Sequence, residues 1–231
     1  MVSPRTLVTY DSTLLDHVSV AAQSPASRMG VRVLSVLFLT ALTAAASQIS
    51  LHVPFTPVPF TLQPVVVLMA GAVLGARLGA ASQALFLLLG LAGVHAFAAS
   101  PILPPGAARL LGPTGGFLLA YPLAAALTGW LAGRGFDRRY VSSVVAMIAG
   151  LAVIYAGGVA WLAYLMPPQP GISGPVGFEA AVASGIAPFV AADLAKIGAA
   201  SLLLPTCWRF VDAGGPPRWG ADGSRPKTRK Y

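Results

Sequence analysis

Six long apolar runs, separated by stretches rich in proline, glycine or arginine, divide most of the chain between residues 31 and 210. They cover residues 31–51, 62–76, 78–99, 117–132, 141–166 and 188–210, the last interrupted by Pro205. A bilayer core of roughly 30 Å takes about 20 residues of α-helix per crossing, so most of these runs have the length of one span. Proline and glycine in the connectors stop a helix from continuing between them. The pattern predicts an all-α membrane protein with six transmembrane helices, of which the second is short. A further stretch, 178–186, reads as a partial helix, and no internal repeat is visible. Residues 1–28 are polar and mixed and read as a flexible tail, 29–211 as the transmembrane domain, and 212–231 as a basic tail. Arg28, Arg32 and the small residues Ala44, Ala45, Ala46 and Ser47 also fit a cleavable signal peptide. The basic stretch lies too far from Met1 for that, and a retained helix is the better reading.

Composition agrees with a lipid solvent: 56% of the residues are hydrophobic and 10% charged, against roughly a quarter charged in soluble domains. The net charge of +8 is not spread evenly. With six spans, both termini share a side with the second-to-third and fourth-to-fifth connectors. That side holds Arg5, Arg28, Arg32, Arg77, Arg134, Arg138, Arg139, Arg209, Arg218, Arg225, Lys227, Arg229 and Lys230. The opposite side holds Arg109, and Lys196 falls inside the last run. Positive residues concentrate on the cytoplasmic side, so both termini are expected there. The charge reflects topology and contact with anionic membrane lipids; no basic–aromatic motif accompanies it, and no nucleic-acid partner is expected. The single cysteine, Cys207, excludes an intramolecular disulfide and a cysteine metal cluster, and no cofactor is called for. A phosphate-binding loop is absent, so energy from ATP would have to come from other subunits.

Candidate chemistry sits on the outer side and just beneath it. The outer connectors are proline-rich: His52 to Phe60 with Pro54, Pro57 and Pro59, then Pro101 to Arg109, then Pro167 to Gly177. Such loops are pre-shaped and suit a lid over a pocket, or serve as tight turns alone. Asp193 and Lys196 stand three residues apart, hence on one helix face, with Asp193 roughly 7 Å below the outer end at a rise of about 1.5 Å per residue. An ionisable group at that depth needs a partner inside the protein. The pair is either a self-neutralising packing element or a polar recognition point. Arg109, alone on its side, suits an anion. Gly71, Gly75 and Gly79 recur every four residues, as do Ala41 and Ala45, spacings that let helices approach closely. The glycines suit internal packing, the alanines equally a face for a partner.

The ordered series of short segments resembles the BioY family, the biotin-capturing S components of energy-coupling factor (ECF) vitamin transporters. The segments are Val58 to Gln63 (VPFTLQ), Ala70 to Gly79 (AGAVLGARLG) and Leu89 to Gly93 (LGLAG), followed by Phe97. They continue with Leu111 to Phe117 (LGPTGGF), Tyr155 with Gly158, and Gly185 to Phe189 (GIAPF) leading to Asp193 and Lys196. Phe117 stands where the family often has tyrosine, and the stretch from Phe97 to Leu110 is richer in proline than usual.

The resemblance implies an S-component-like bundle with cytoplasmic termini that binds biotin near the outer surface. It further implies that Asp193 accepts from the ureido N–H groups, Lys196 donates to the ureido carbonyl, and Arg109 takes the valerate carboxylate. Phe97, Phe117, Tyr155 and Trp161 would enclose the apolar parts, with Gln63 also in the site. Ala41 and Ala45 would dock on a transmembrane coupling subunit (EcfT/BioN type), with ATP hydrolysed by ATPase subunits (EcfA/BioM type) and not by this chain. Other readings are an S component for another small vitamin, an autonomous secondary transporter, which would want an inverted repeat and ion-coupling groups, and an intramembrane serine protease. The last rests on the string from Gly171 to Gly174 and lacks a histidine after His95.

Overall fold

The computed structural model describes residues 13–20, 24–52, 54, 56–100, 103–168 and 174–213. Ser173 of the protease-like string, Pro101, Pro170, Arg5 and the basic residues from Arg218 onward lie outside them. The described chain is helical apart from one two-stranded hairpin. In order the elements are α1 (Leu14–Val20), α2 (Pro25–Gln48), β1 (Ser50–Leu51), β2 (Phe60–Thr61), α3 (Gln63–Leu91), α4 (Ala107–Leu111) and α5 (Gly115–Gly133). There follow α6 (Tyr140–Ala160), which ends in a wide π turn at Trp161–Leu165, then α7 (Phe178–Gly185), α8 (Val190–Ala200) and α9 (Leu203–Ala213). Among the described residues, five helical segments are long and apolar enough to cross a membrane.

One of those five, α3, is folded back on itself. Gly75 has φ 81° and ψ 174°, a backbone region that is essentially closed to residues with a Cβ. Residues 71 and 79 would be about 12 Å apart on a straight helix. Here a methyl group on Gly79 would sit 2.8 Å from Gly71 Cα, so the chain reverses between them. Both ends of α3 accordingly meet the same set of loops. Thr61 pairs with Ser50 just before α3, while Ser47 and Gln48 at the end of α2 donate to Ala96 and His95 just after it. The second and third apolar runs of the sequence are the two legs of this hairpin, and Arg77 is exposed at its turn. The glycine series is therefore no continuous helical stripe. Gly75 makes the reversal, Gly71 and Gly79 pack leg on leg, and Gly129 of α5 fits against the turn.

Elsewhere helix ends follow local chemistry. Ser24 and Ser27 form a reciprocal capping box with Pro25 in the first turn of α2. The partial helix expected at 178–186 is α7, a separate element. The break in the last run falls at Ser201 and Leu202, one turn before Pro205. Proline supplies no N–H to the carbonyl four residues back, which is that of Ser201. Within the N-terminal stretch, Leu14–Val20 forms the short helix α1. Leu14 of α1 packs with Ala72, Ala132, Leu204 and Trp208, and Leu15 with Leu39, Ala70 and Leu74. Beside them Trp208 donates to the buried carboxylate of Asp137 at 2.6 Å, under the guanidinium of Arg138. Burial holds that carboxyl above its ordinary range.

The interior of the bundle combines aliphatic and aromatic packing with hydrogen bonds between helices. Phe86, Leu68, Met147 and Ile154 are fully buried. Thr40 of α2 donates to the Ser82 carbonyl at 2.9 Å, and Gln83 donates to Thr43 at 3.3 Å. Direct bonds of this kind join helices where water is scarce. The outer surfaces carry large apolar side chains, among them Leu34, Phe38, Leu123, Val141 and Phe210.

Candidate ligand-binding site

A cavity of about 500 Å³ opens among the proline-rich loops and runs into the bundle. That is the size range of small-molecule sites. Its apolar wall includes Phe97, Phe117, Leu118, Tyr121, Ile154, Leu162 and Phe189, and its polar groups include Thr56, Gln63, Arg109, Tyr155 and Asp193. The aromatic part is built by close approach. The Phe97 ring lies 5.4 Å from that of Phe86, which in turn faces Tyr121 at 6.2 Å. A Cβ at Gly90 would collide with Phe97, and one at Gly158 would collide with Phe117. The glycines leave the space in which these two rings sit.

The polar centre is Asp193. Its side chain is 6% exposed, and each carboxylate oxygen already accepts one hydrogen bond. Tyr155 Oη donates to Oδ2 at 2.7 Å, and Lys196 Nζ donates to Oδ1 at 2.7 Å. Lys196 also donates to the Thr61 carbonyl at 2.8 Å, tying α8 to the end of β2. The charge of Asp193 is thus compensated within the bundle, as an intramembrane carboxylate requires. Each oxygen keeps a further lone pair, so Asp193 can still accept from a donor in the cavity.

Arg109, on α4, organises the second proline-rich connector. Its Nε donates to Leu103 O at 2.8 Å and to Pro104 O at 3.1 Å, and its Nη1 donates to Ala98 O. Partial burial lowers its pKa from the ordinary value, yet a guanidinium stays protonated at any physiological pH. Arg109 stands on the cavity wall and brings one charged group to it. Two further loops meet over the cavity, where Thr56 donates to the Ser184 carbonyl at 2.7 Å and links the first outer connector to α7.

Six of the residues singled out from the sequence line the same cavity: Asp193, Arg109, Phe97, Phe117, Tyr155 and Gln63. Lys196 and Trp161 do not stand on its wall. Lys196 lies behind Asp193, and the Trp161 indole donates to Gly112 O at 2.8 Å, where it supports the Pro113–Thr114 segment of the wall. Ala41 and Ala45 lie apart from the cavity, on an exposed face of α2. Tyr121, Ile154, Leu162 and Phe189 were not foreseen. For two of them a signal existed: Tyr121 follows Phe117 by four residues, and Phe189 precedes Asp193 by four, the spacing of one helix face.

The model of the BioY family matches residues 20–213. The chain belongs to the BioY family. Among similar members, the probable biotin transporter BioY of Pyrococcus horikoshii is 38% identical over 168 residues, covering 73% of this chain and 90% of that protein. The biotin transporter BioY of Thermotoga maritima is 35% identical over 164 residues, with coverages of 71% and 88%. The BioY of Rhizobium etli is 34% identical over 181 residues, with coverages of 74% and 89%. A crystal structure of the S-component for biotin from an ECF-type ABC transporter matches with a TM-score of 0.68 at 23% identity, over 81% of this chain and 95% of that one. The likeness shows that this BioY-family chain has the S-component fold, and with its apolar helices it is a multi-pass membrane protein.

Proposed function

We propose that this BioY-family protein captures biotin from the outer side of the membrane, as the S component of an ECF-type transporter. One observation carries the reading. A single apolar cavity holds a buried hydrogen-bond acceptor, Asp193, and a cation, Arg109. Biotin needs both, since its ureido ring presents N–H donors, its valerate chain ends in a carboxylate, and the rest is apolar. In this reading Asp193 accepts from the ureido group and Arg109 holds the carboxylate. Phe97, Phe117 and Tyr155 enclose the ring and chain, while Lys196 and Trp161 support the wall. Arg77 at the α3 turn, with Arg134, Arg138 and Arg139, marks the cytoplasmic side.

Calorimetry of the detergent-purified protein tests the ligand. Biotin is expected to bind in roughly the nanomolar range, and thiamine and riboflavin not at all. The carboxylate role has its own signature. Wild-type protein should prefer biotin to an uncharged biotin amide, and Arg109→Gln should lose most of that preference because the charge is gone while hydrogen-bond donors remain for the loop. Tight binding of thiamine or riboflavin without biotin would overturn the assignment, and an unchanged preference in Arg109→Gln would remove Arg109 from it.

For the partners, the exposed face of α2 with Ala41 and Ala45 is the proposed seat of a transmembrane coupling subunit, whose ATPase subunits would supply the energy. Small residues there permit close helix contact. Replacing either alanine by leucine should leave biotin affinity unchanged and reduce co-purification of the coupling subunit severalfold. Undiminished co-purification would place the docking face elsewhere.

A further inference from the structure

We infer that Ser47 and Gln48, at the C-terminal end of α2, are positioning residues for the cavity. They hold the wall segment that carries Phe97 and act on the ligand through that ring, without touching the ligand themselves. The inference deepens the biotin reading and rests on it.

Residues 94–100 follow α3 and belong to no helix or strand, yet Phe97, Ala98, Ala99 and Ser100 form part of the cavity wall. Chain of this kind has no ladder to take its carbonyls, and each needs another donor. Here four successive carbonyls are met by three side chains. Gln48 Nε2 lies 3.0 Å from His95 O and 3.4 Å from Phe97 O, Ser47 Oγ lies 2.6 Å from Ala96 O, and Arg109 Nη1 donates to Ala98 O. The two α2 residues work as one clasp. Gln48 donates to Ser47 Oγ at 2.7 Å, and the hydroxyl proton is shared between Ala96 O and Ala44 O of its own helix, each at 2.6 Å. Ser47 is fully buried, so water does not replace it, and neither residue lines the cavity. What the clasp fixes is the ring. Phe97 sits in the space that a Cβ on Gly90 would fill, beside Phe86. With no side chain on Gly90 to stop it, the depth of the ring is set by where its backbone is held. A wall already ordered in the free protein spares the ligand the cost of ordering it on binding.

A double-mutant cycle on biotin affinity tests the route. Calorimetry compares wild type, Gln48→Met, Phe97→Leu and the double variant, with thermal melting as a check on folding. Gln48 is exposed, so its variant should fold, and Ser47→Ala is a second way to open the same clasp. Gln48→Met keeps the length of the side chain without its donors and should weaken biotin severalfold, as expected for the loss of a hydrogen bond. Ser47→Ala should do the same, and Phe97→Leu should cost at least as much. In the Phe97→Leu background, Gln48→Met should add less than about a twofold loss, because the ring through which it acts is gone. Residues that act independently would multiply their effects instead. A loss in the double variant equal to the product of the single losses, or wild-type affinity in both folded clasp variants, overturns the inference. If Phe97→Leu fails to fold, Phe97→Met takes its place in the cycle. A wild type that binds no biotin overturns the proposed function, and this inference with it.

Discussion

Asp193→Ala is expected to weaken biotin binding by at least about a hundredfold, with the protein still inserted and folded. The magnitude follows from what the substitution leaves behind. Lys196 loses its carboxylate partner, and removing one member of a buried ion pair costs about 3–5 kcal/mol. At about 1.4 kcal/mol per tenfold, that is roughly two to three and a half decades if it is expressed in binding. Part of the cost will fall on stability instead, so the measurement pairs biotin titration with thermal melting. Asp193→Asn separates the two. It keeps the size of the side chain and an oxygen that can accept from Lys196 or Tyr155, so melting should fall less than in Asp193→Ala. It loses the charge and one acceptor oxygen, so affinity should still fall clearly. Wild-type affinity in either folded variant would make the Asp193–Lys196 pair a packing element and leave the cavity without its central acceptor.

The site was legible in the sequence to the extent that expensive residues announce themselves. An acid in an apolar run is costly where it stands, an arginine set apart from the other basic residues is conspicuous, and the structure puts Asp193 and Arg109 on one cavity. Which neighbours face inward was harder to see. Lys196 shares the helix face of Asp193, yet its reach is diverted to the Thr61 carbonyl, a contact made across 135 residues that no local spacing encodes. Trp161 sits in a wide turn where the helical count no longer tells direction. Its indole goes to Gly112 rather than into the cavity. Gln63 could be named only through the family resemblance, because nothing in the sequence says that its buried Nε2 has no partner among the described residues.

Fold class was legible for a simpler reason: apolar runs of bilayer length have few other solutions. The runs 62–76 and 78–99, the first of them short, were the difficult case, since composition alone allows a single long helix across both. What distinguishes the two is the backbone at Gly75 and the close approach of Gly71 to Gly79, neither visible without coordinates. The same limit applies to the N-terminal stretch, whose polar average hides the two leucines of α1 that pack into the bundle.

The reversal within α3 carries the last prediction, because the two geometries assign opposite signs to one substitution. On a straight helix Gly79→Ala would stabilise by about 1 kcal/mol, the ordinary gain of alanine over glycine. In the hairpin its Cβ meets the backbone of Gly71 and Ala70, atoms that cannot turn aside as a flexible side chain would. Overpacking of that kind costs about 1–3 kcal/mol. Gly75→Ala adds a separate penalty of about 1–3 kcal/mol for a residue held in a glycine-only conformation, and its methyl would also press on Thr13 at 2.8 Å. The double variant is therefore expected to lower stability by several kcal/mol or to abolish folding. Gly30→Ala is the control: it lies within α2 with nothing inside 4 Å of the added carbon, so it should be neutral or slightly stabilising. Melting curves of the three single variants in one detergent decide the question without biotin. A Gly79→Ala protein that melts at or above the wild-type temperature would mean that α3 runs straight through, and that Arg77 is not carried to the membrane surface by a turn.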